Sequence, residues 1–302
     1  MKIALCLKDL NDFNRLSDGE IETIDFQFVD RTICEVPDQG FFQLIPYVTF
    51  SFLDTPKGKL NYVIYRRPSK GEGEARLQGN SSIGFGGHID SVDDLTFTES
   101  FVNEEGVTLY KMTLEDIKNT CMKCATREVI EEVGFDAFKE LDISNDSITF
   151  GLEREQDPDE VGQVHVCISI KVNLDEPRFA AFFSKAQAEE TEIEELKSIA
   201  IDAGKFLGSF NVEGAVAHMN KQLNDEVQME KWSTTVINSM LFQLVGFIQQ
   251  NWDFKVVMDA LIENMKAKEE ESDQPQDAVV KSDDSQGVDT PVEDTSVQTL
   301  NG

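Results

Sequence analysis

Apolar residues recur along this chain with two different periods, and the changes of period mark out its elements. Phe42 to Leu53 and Leu60 to Arg67 are rich in β-branched and aromatic residues. Asp54-Thr55-Pro56-Lys57-Gly58 lies between them and is turn chemistry, so the pair predicts a β-hairpin. Shorter strand-like stretches stand at Ile3 to Leu7, Ile24 to Val29, Ser147 to Leu152 and Leu196 to Ile201. Val164 to Val172 is strongly β-branched and is expected to alternate between covered and exposed positions. The period then changes. Leu114, Ile117, Cys121, Ala125 and Val129 follow one another at helical intervals behind Thr113, with Asp116 three residues after it, so a capped helix is predicted to begin near Thr113. Trp232, Val236, Met240, Leu241, Leu244 and Phe247 also recur at helical spacing, which reads as a core-facing stripe within residues 205–268 rather than as a cofactor site.

Composition adds boundaries to this pattern. A chain of 302 residues with 40% apolar content is long enough for one main domain with additions. The partition expected is an N-terminal extension at 1–40, a main domain at 41–205 with an insertion at about 95–119, and a helical C-terminal part at 206–268 packed on it. From Glu269 to Gly302 the chain is acidic, rich in Ser, Gln, Thr and Asp and without aromatic residues, which is the composition of a disordered tail. The net charge of −30 argues against a scaffold that grips nucleic acid through a basic surface. No apolar run approaches the roughly 18 residues of a membrane span, and the N-terminus is charged too early for a signal peptide. Five cysteines without the spacing of a disulfide framework agree with a reducing, cytoplasmic location.

Candidate chemistry concentrates on the predicted helix. In Arg127-Glu128-Val129-Ile130-Glu131-Glu132-Val133-Gly134-Phe135, Glu128, Glu131 and Glu132 fall at i, i+3 and i+4, on one helical face. Like charges so close either point into solvent or share a cation, and a hard divalent metal suits carboxylate oxygens. Gly134 stands where a helix needs its C′ residue. Upstream, Ser82-Ile83-Gly84-Phe85-Gly86-Gly87-His88-Ile89-Asp90 is a glycine-rich loop, preceded by the basic residues Arg66, Arg67, Lys70 and Arg76. Those cations are either solvated loop charges or contacts for substrate phosphates. His88 either touches a ligand or hydrogen-bonds within its own loop, and His165 reads as a packed strand residue. Cys121 and Cys124 form a C-x-x-C with no second pair, so they read as ordinary helix residues rather than a zinc site. No local signature accompanies a Cys-His or Ser-His-Asp nucleophile.

The Arg127–Phe135 segment resembles the second half of the motif of the Nudix hydrolases, and Ser82–Asp90 resembles the Gly-Gly loop of its first half. The family spacing counted from Gly87 lands on Asp93, where Glu is usual, and Arg127 follows only 34 positions later. The motif is therefore split by the insertion, and Asp94 or Glu115 are alternatives to Asp93. Gln43-Leu44-Ile45-Pro46-Tyr47, Tyr65-Arg66-Arg67, Glu74-Ala75-Arg76-Leu77, Val161-Gly162-Gln163-Val164-His165-Val166 and Glu230-Lys231-Trp232-Ser233 resemble one branch of bacterial and phage Nudix-domain proteins described as predicted phosphoesterases. The resemblance implies an α+β fold, an α/β/α sandwich around a mixed central sheet. It implies hydrolysis of a pyrophosphate bond in a nucleoside diphosphate linked to another moiety, in the cytoplasm (that of the host, for a phage protein). Mg²⁺ or Mn²⁺ would be the cofactor, with Glu128, Glu131 and Glu132 as metal ligands and Arg127 fixing them by an ion pair. Arg66, Arg67, Arg76, Gly86, Gly87 and His88 would meet a small nucleotide substrate, and the general base would come from the metal cluster or from residues 153–160 or 189–195. No membrane or strong nucleic-acid partner is expected, and a homodimer is compatible with this reading. The alternative is a Nudix-fold regulatory or interaction protein that senses a nucleotide without turning it over.

Overall fold

The two apolar runs around Asp54 pair with each other in the computed structural model of this chain, which describes residues 2–54, 57, 59–68, 78–153, 162–186, 193–202 and 235–236. In chain order the elements are β1 (Ile3–Leu7), α1 (Leu10–Ser17), β2 (Ile24–Asp30), α2 (Arg31–Cys34), β3 (Phe42–Asp54), β4 (Lys59–Arg66), β5 (Ser81–Ser82), β6 (Gly84–Gly86), β7 (Glu99–Val102) and β8 (Thr108–Met112). Then come α3 (Leu114–Val133), α4 (Ala137–Glu140), β9 (Ile148–Glu153), β10 (His165–Leu174), α5 (Glu176–Lys185) and β11 (Glu195–Asp202). All described residues fall within one compact unit, Met1–Asn264.

The strands form one large sheet with the order β11-β4-β3-β1-β2-β8-β7, and β10 and β9 continue from β3. Among the described residues every pairing is antiparallel except that of β3 with β10. The fold is thus mixed α+β, with a mainly antiparallel sheet and few helices. The β3–β4 register closes on Asp54↔Lys59, and Asp54 accepts from both the backbone N–H and the ammonium of Lys57, which holds the turn. The first strand of the chain pairs with β2 and with β3, so residues before 41 contribute strands to the same sheet as the hairpin.

The segment between the glycine-rich loop and α3 contains a hairpin that periodicity did not reveal. Strands β7 and β8 pair with each other, and β8 pairs with β2. The signal was turn chemistry: Asn103 accepts from the N–H groups of Glu105 and Val107 through its side chain, and Gly106 adopts a φ of 79°. Residues 99–112 are too mixed in polarity for alternation to show, because β7 is exposed and β8 is only partly covered.

Strand β10 corrects an expectation. It does not alternate: every position from His165 to Val172 is buried. The strand is interior, with β3 on one edge and β9 on the other, and Val166, Ile168, Ile170 and Val172 join the main core. Its other face buries Cys167, Ser169 and Lys171, so polarity along this strand does not report exposure.

The main core lies between the sheet and α3 and α5. It is dense in aromatic rings: Phe50, Phe85 and Phe135 each pack against Phe182, with ring centroids 4.8, 6.1 and 5.4 Å away. Of the expected C-terminal helical part, only Thr235 and Val236 are described, and both are helical. The expected tail lies outside the described residues. Among the described residues no helix is long and apolar enough to cross a membrane.

Candidate functional site

Helix α3 starts and stops where its caps require. The Thr113 hydroxyl accepts from the Asp116 N–H at 3.1 Å and the Asp116 carboxylate accepts from the Thr113 N–H at 2.9 Å, a reciprocal capping box. Gly134 ends the helix with a φ of 78°, where its N–H donates to the Ile130 carbonyl. Between the caps, Ile117, Cys121, Cys124, Ala125, Val129 and Val133 face the core. That burial sets the rotation of the helix and so presents its last turns with Glu128 half-buried, Glu131 exposed and Glu132 buried.

Arg127 organises this surface. Its Nε and Nη2 donate to Oδ1 and Oδ2 of Asp93 at 2.8 and 3.0 Å, a bidentate pair across 34 residues of sequence. Its Nη1 lies 2.8 Å from Oε1 of Glu128 and 3.0 Å from Oε2 of Glu131. Nη2 also donates to the His88 carbonyl at 3.1 Å. One guanidinium therefore joins the glycine-rich loop, a buried aspartate and two of the three helix carboxylates. The Asp93 side chain is only 2% exposed, whereas Asp94 is 88% exposed and pairs with Lys123, and Glu115 is exposed. Of these three acids, Asp93 is thus the one that pairs with Arg127.

The glycines matter through what a side chain would strike. A Cβ on Gly87 would stand 2.4 Å from Oε1 of Glu128, and one on Gly86 would stand 2.1 Å from the Pro46 carbonyl oxygen. Gly87 thereby lets the loop backbone lie directly on a helix carboxylate. His88 contributes its carbonyl to Arg127, while its ring meets that of His165 edge-on at 5.5 Å. His165 is packed, as expected. The third helix carboxylate is held from the sheet: the Tyr65 hydroxyl on β4 donates to Oε1 of Glu132 at 3.3 Å. Arg67, just past the end of β4, places its guanidinium carbon 5.4 Å from the centre of the Tyr65 ring.

Not every basic residue joins the site. Arg66 points to the other face, where it pairs with Glu194 at 3.2 Å just before β11. Arg76 and Lys70 lie outside the described residues. So do 154–160 and 189–192 of the two segments in which a general base was sought. Glu153 is tied to Lys171 and Ser169, both at 3.1 Å, and Glu195 lies 3.6 Å from Lys197. Cys121 and Cys124 are reduced and fully buried, and burial pushes both thiols up; for Cys124 the charges of Asp93 and Glu128 add to the effect. Both pack into the main core as residues of α3. The sequence did not pair Tyr65 with Glu132, since nothing in a strand's alternation states which distant carboxylate a phenol will reach.

Whether a divalent cation fits can be asked of the donors. Among the described residues no three His, Cys, Asp or Glu side chains are gathered closely enough to hold one metal ion. Arg127 Nη1 contacts both Glu128 and Glu131. The donor types nonetheless suit a hard cation: three carboxylates stand on the last turns of one helix, with Arg127 contacting Glu128 and Glu131 and the Tyr65 hydroxyl contacting Glu132.

Burial raises the pKa of Glu128 to about 6, with the charge of Glu131 adding to the rise and Arg127 opposing it. The folded chain then binds this proton more tightly than the unfolded chain, whose reference value is 4.5. The corresponding stability is present below pH 4.5 and is lost as pH rises through 6. Above that, the ionised side chain costs up to about 2 kcal/mol. Glu128→Gln, which mimics the protonated form, is expected to raise the urea midpoint at pH 7.5 in the presence of a chelator and to leave it unchanged at pH 4. An equal shift at both pH values would show that desolvation of this carboxylate is not the cause.

No protein-family model matches the chain, and no curated protein matches it. Among solved structures it is similar to Tm1382, a candidate Nudix hydrolase, at 18% identity over 80% of this chain and 99% of that one, with a TM-score of 0.41. It is similar to a MutT/nudix family protein from Listeria innocua at 12% identity over 68% of this chain and 94% of that one, with a TM-score of 0.34. A MutT/nudix family protein from Enterococcus faecalis matches at 15% identity over 52% of this chain and 43% of that one, with a TM-score of 0.31.

Proposed function

We propose that this chain is a Nudix-type hydrolase that cleaves a pyrophosphate bond in a nucleoside diphosphate linked to another group. The observation that carries this reading is the Arg127 guanidinium, which ties buried Asp93 to Glu128 and Glu131 while Gly87 lies on Glu128. A surface helix has no structural need for three carboxylates on one face, and an arginine that orients two of them through a buried partner is preorganisation. Glu128, Glu131 and Glu132 would hold Mg²⁺ or Mn²⁺. When bound, such an ion lowers the pKa of the attacking water and neutralises charge on the leaving phosphate oxygen. Arg67, held against Tyr65, would meet a substrate phosphate in this reading. Arg127 would direct Glu128 and Glu131, and one of the site's carboxylates would take the proton of the attacking water.

A nucleotide sensor without turnover is the second reading, favoured by the fact that Glu128 and Glu131 already share a cation within the chain. A hydrolysis screen of nucleoside-diphosphate derivatives with Mg²⁺ and with Mn²⁺, with products resolved by chromatography, separates the two. Metal-dependent turnover that is lost in Glu131→Gln and Glu132→Gln is the expected result. Tight metal-dependent nucleotide binding with no turnover of any compound would establish the sensor instead.

A further inference from the structure

Two cysteines far from α3 meet each other in the fold, and the proposed hydrolysis uses neither. We infer that Cys6 and Cys34 are a redox pair, which a hydroperoxide oxidises to an intramolecular disulfide that ties α2 to β1. The inference does not depend on the hydrolase reading.

The sheet and α2 bring the two thiols together. Along β1, Leu5 and Leu7 enter the main core, while Ala4 and Cys6 face the opposite way, into a small cluster with Val29, Cys34 and Phe41. Helix α2 carries Cys34 to that cluster. Its Arg31 N–H donates to the Lys2 carbonyl at 3.0 Å, and Asp30 caps it by accepting from the Thr32 N–H at 2.9 Å. Its last residue is placed by Gln43, whose Nε2 donates to the Cys34 carbonyl at 3.2 Å, and Gln43 is the residue opposite Cys6 on β3. Both cysteines are reduced and fully buried, and their side chains hydrogen-bond to each other, so the sulfurs are direct neighbours. That bond also makes them unequal. It holds the Cys34 thiol below its ordinary range against the opposing effect of burial, and it pushes the Cys6 thiol up, with burial adding to the rise. Cys34 is then the thiolate that meets the oxidant, and Cys6 resolves the product. Ile33 and Val36 near Cys34 are exposed, and α2 has only four residues, so a local opening of this short element admits a small oxidant while the main core stays closed.

The chemistry balances. The Cys34 thiolate attacks one peroxide oxygen, the O–O bond breaks, and the other oxygen leaves as water or alcohol after taking a proton, which gives a sulfenic acid. The Cys6 sulfur then attacks the Cys34 sulfur, the S–S bond forms, the S–O bond breaks, and the oxygen departs as water with the Cys6 proton. The two thiols lose two electrons and two protons in all, and the peroxide is reduced by the same two electrons. The rival account is that the pair serves only as two small apolar side chains filling one cluster.

The test is treatment of the full, reduced chain with a small excess of hydrogen peroxide, followed by alkylation of the remaining thiols in denaturant and peptide mapping by mass spectrometry. The reduced chain should take up five labels, one for each cysteine. The oxidised chain should lose the two at Cys6 and Cys34 and yield a peptide joining them, which dithiothreitol separates. Cys6→Ala and Cys34→Ala should each abolish the link, whereas Cys121→Ala should leave it intact. In Cys6→Ala the Cys34 sulfenic acid should accumulate and be trapped by dimedone, and in Cys34→Ala the same peroxide dose should leave Cys6 unmodified. The link closes about 28 residues of chain, which lowers the unfolding equilibrium constant roughly 10²–10³-fold. The urea midpoint should therefore rise on oxidation and return on reduction. Retention of all five labels at a dose that oxidises the methionines would overturn the inference, as would conversion of Cys6 or Cys34 to sulfinic or sulfonic acid without a linked peptide. Either result would leave the thiols as packing groups. A link that lowers the urea midpoint would also overturn it, because such a bond would have formed from a chain already opened rather than from the native pair.

Discussion

Arg127→Ala is expected to destabilise the fold by about 3–5 kcal/mol, because it strips a buried carboxylate of its only described cation. Asp93 accepts from Nε and Nη2 of Arg127 and from the backbone N–H of Asp90 at 2.8 Å. With the guanidinium gone, a side chain 2% exposed is left with a single described N–H to answer it. The same pairing holds the guanidinium of Arg127 firmly protonated, its pKa raised first of all by the hydrogen bonds to Asp93. Arg127→Lys should recover only part of the loss, since an ammonium cannot reproduce the two parallel bonds to Asp93 and also reach Glu128, Glu131 and the His88 carbonyl. Urea denaturation monitored by fluorescence would measure both variants, and Asp93→Asn combined with Arg127→Ala closes a double-mutant cycle. A coupling of less than about 1 kcal/mol between Asp93 and Arg127 would show the pair to be no stronger than a surface contact. Activity should fall more than stability does, because Glu128 and Glu131 lose their shared cation and repel one another at i and i+3.

Lys171→Met is expected to cost about 3 kcal/mol for a related reason on the opposite side of the sheet. Lys171 is 3% exposed in the interior of β10, and its ammonium lies 3.1 Å from Oε1 of Glu153 on β9. A lysine there is stable only as half of a pair. The substitution matches the stem in length and removes the charge, so that the same Glu153 oxygen faces the Ser169 hydroxyl at 3.1 Å in place of an ammonium. Gly151 makes room for this group, since a Cβ there would stand 2.7 Å from Oγ of Ser169 and 2.9 Å from Oε1 of Glu153. Adding Glu153→Leu to Lys171→Met should restore most of the stability, because replacing both partners removes the uncompensated charge. A single variant as stable as the parent in urea would show that Glu153 does not depend on the lysine.

The parts of the site that were legible in the sequence are those that depend on neighbours a few residues away. Glu128, Glu131 and Glu132 share a face because 3.6 residues make a turn, and Thr113, Asp116 and Gly134 mark the ends of α3 through backbone groups that they themselves satisfy. The β3–β4 hairpin was legible for the same local reason, with turn residues between two β-branched runs. The β7–β8 hairpin was not, because its turn signal at Asn103 and Gly106 is flanked by strands too exposed to alternate. Alternation also misled at β10, where Ser169 and Lys171 are polar and yet buried.

By itself, then, the sequence determined the helix, its caps, its carboxylate face and most of the strands, since each follows from short-range sterics, periodicity and hydrogen bonding within a few residues. Only the tertiary structure decided that Asp93 rather than Asp94 or Glu115 answers Arg127, that Arg66 turns to Glu194 while Arg67 turns to Tyr65, and that a phenol on β4 reaches Glu132. Those choices rest on which side chains lose water together, and adjacent acids such as Asp93 and Asp94 differ in that respect only once the sheet and helix have closed over one of them.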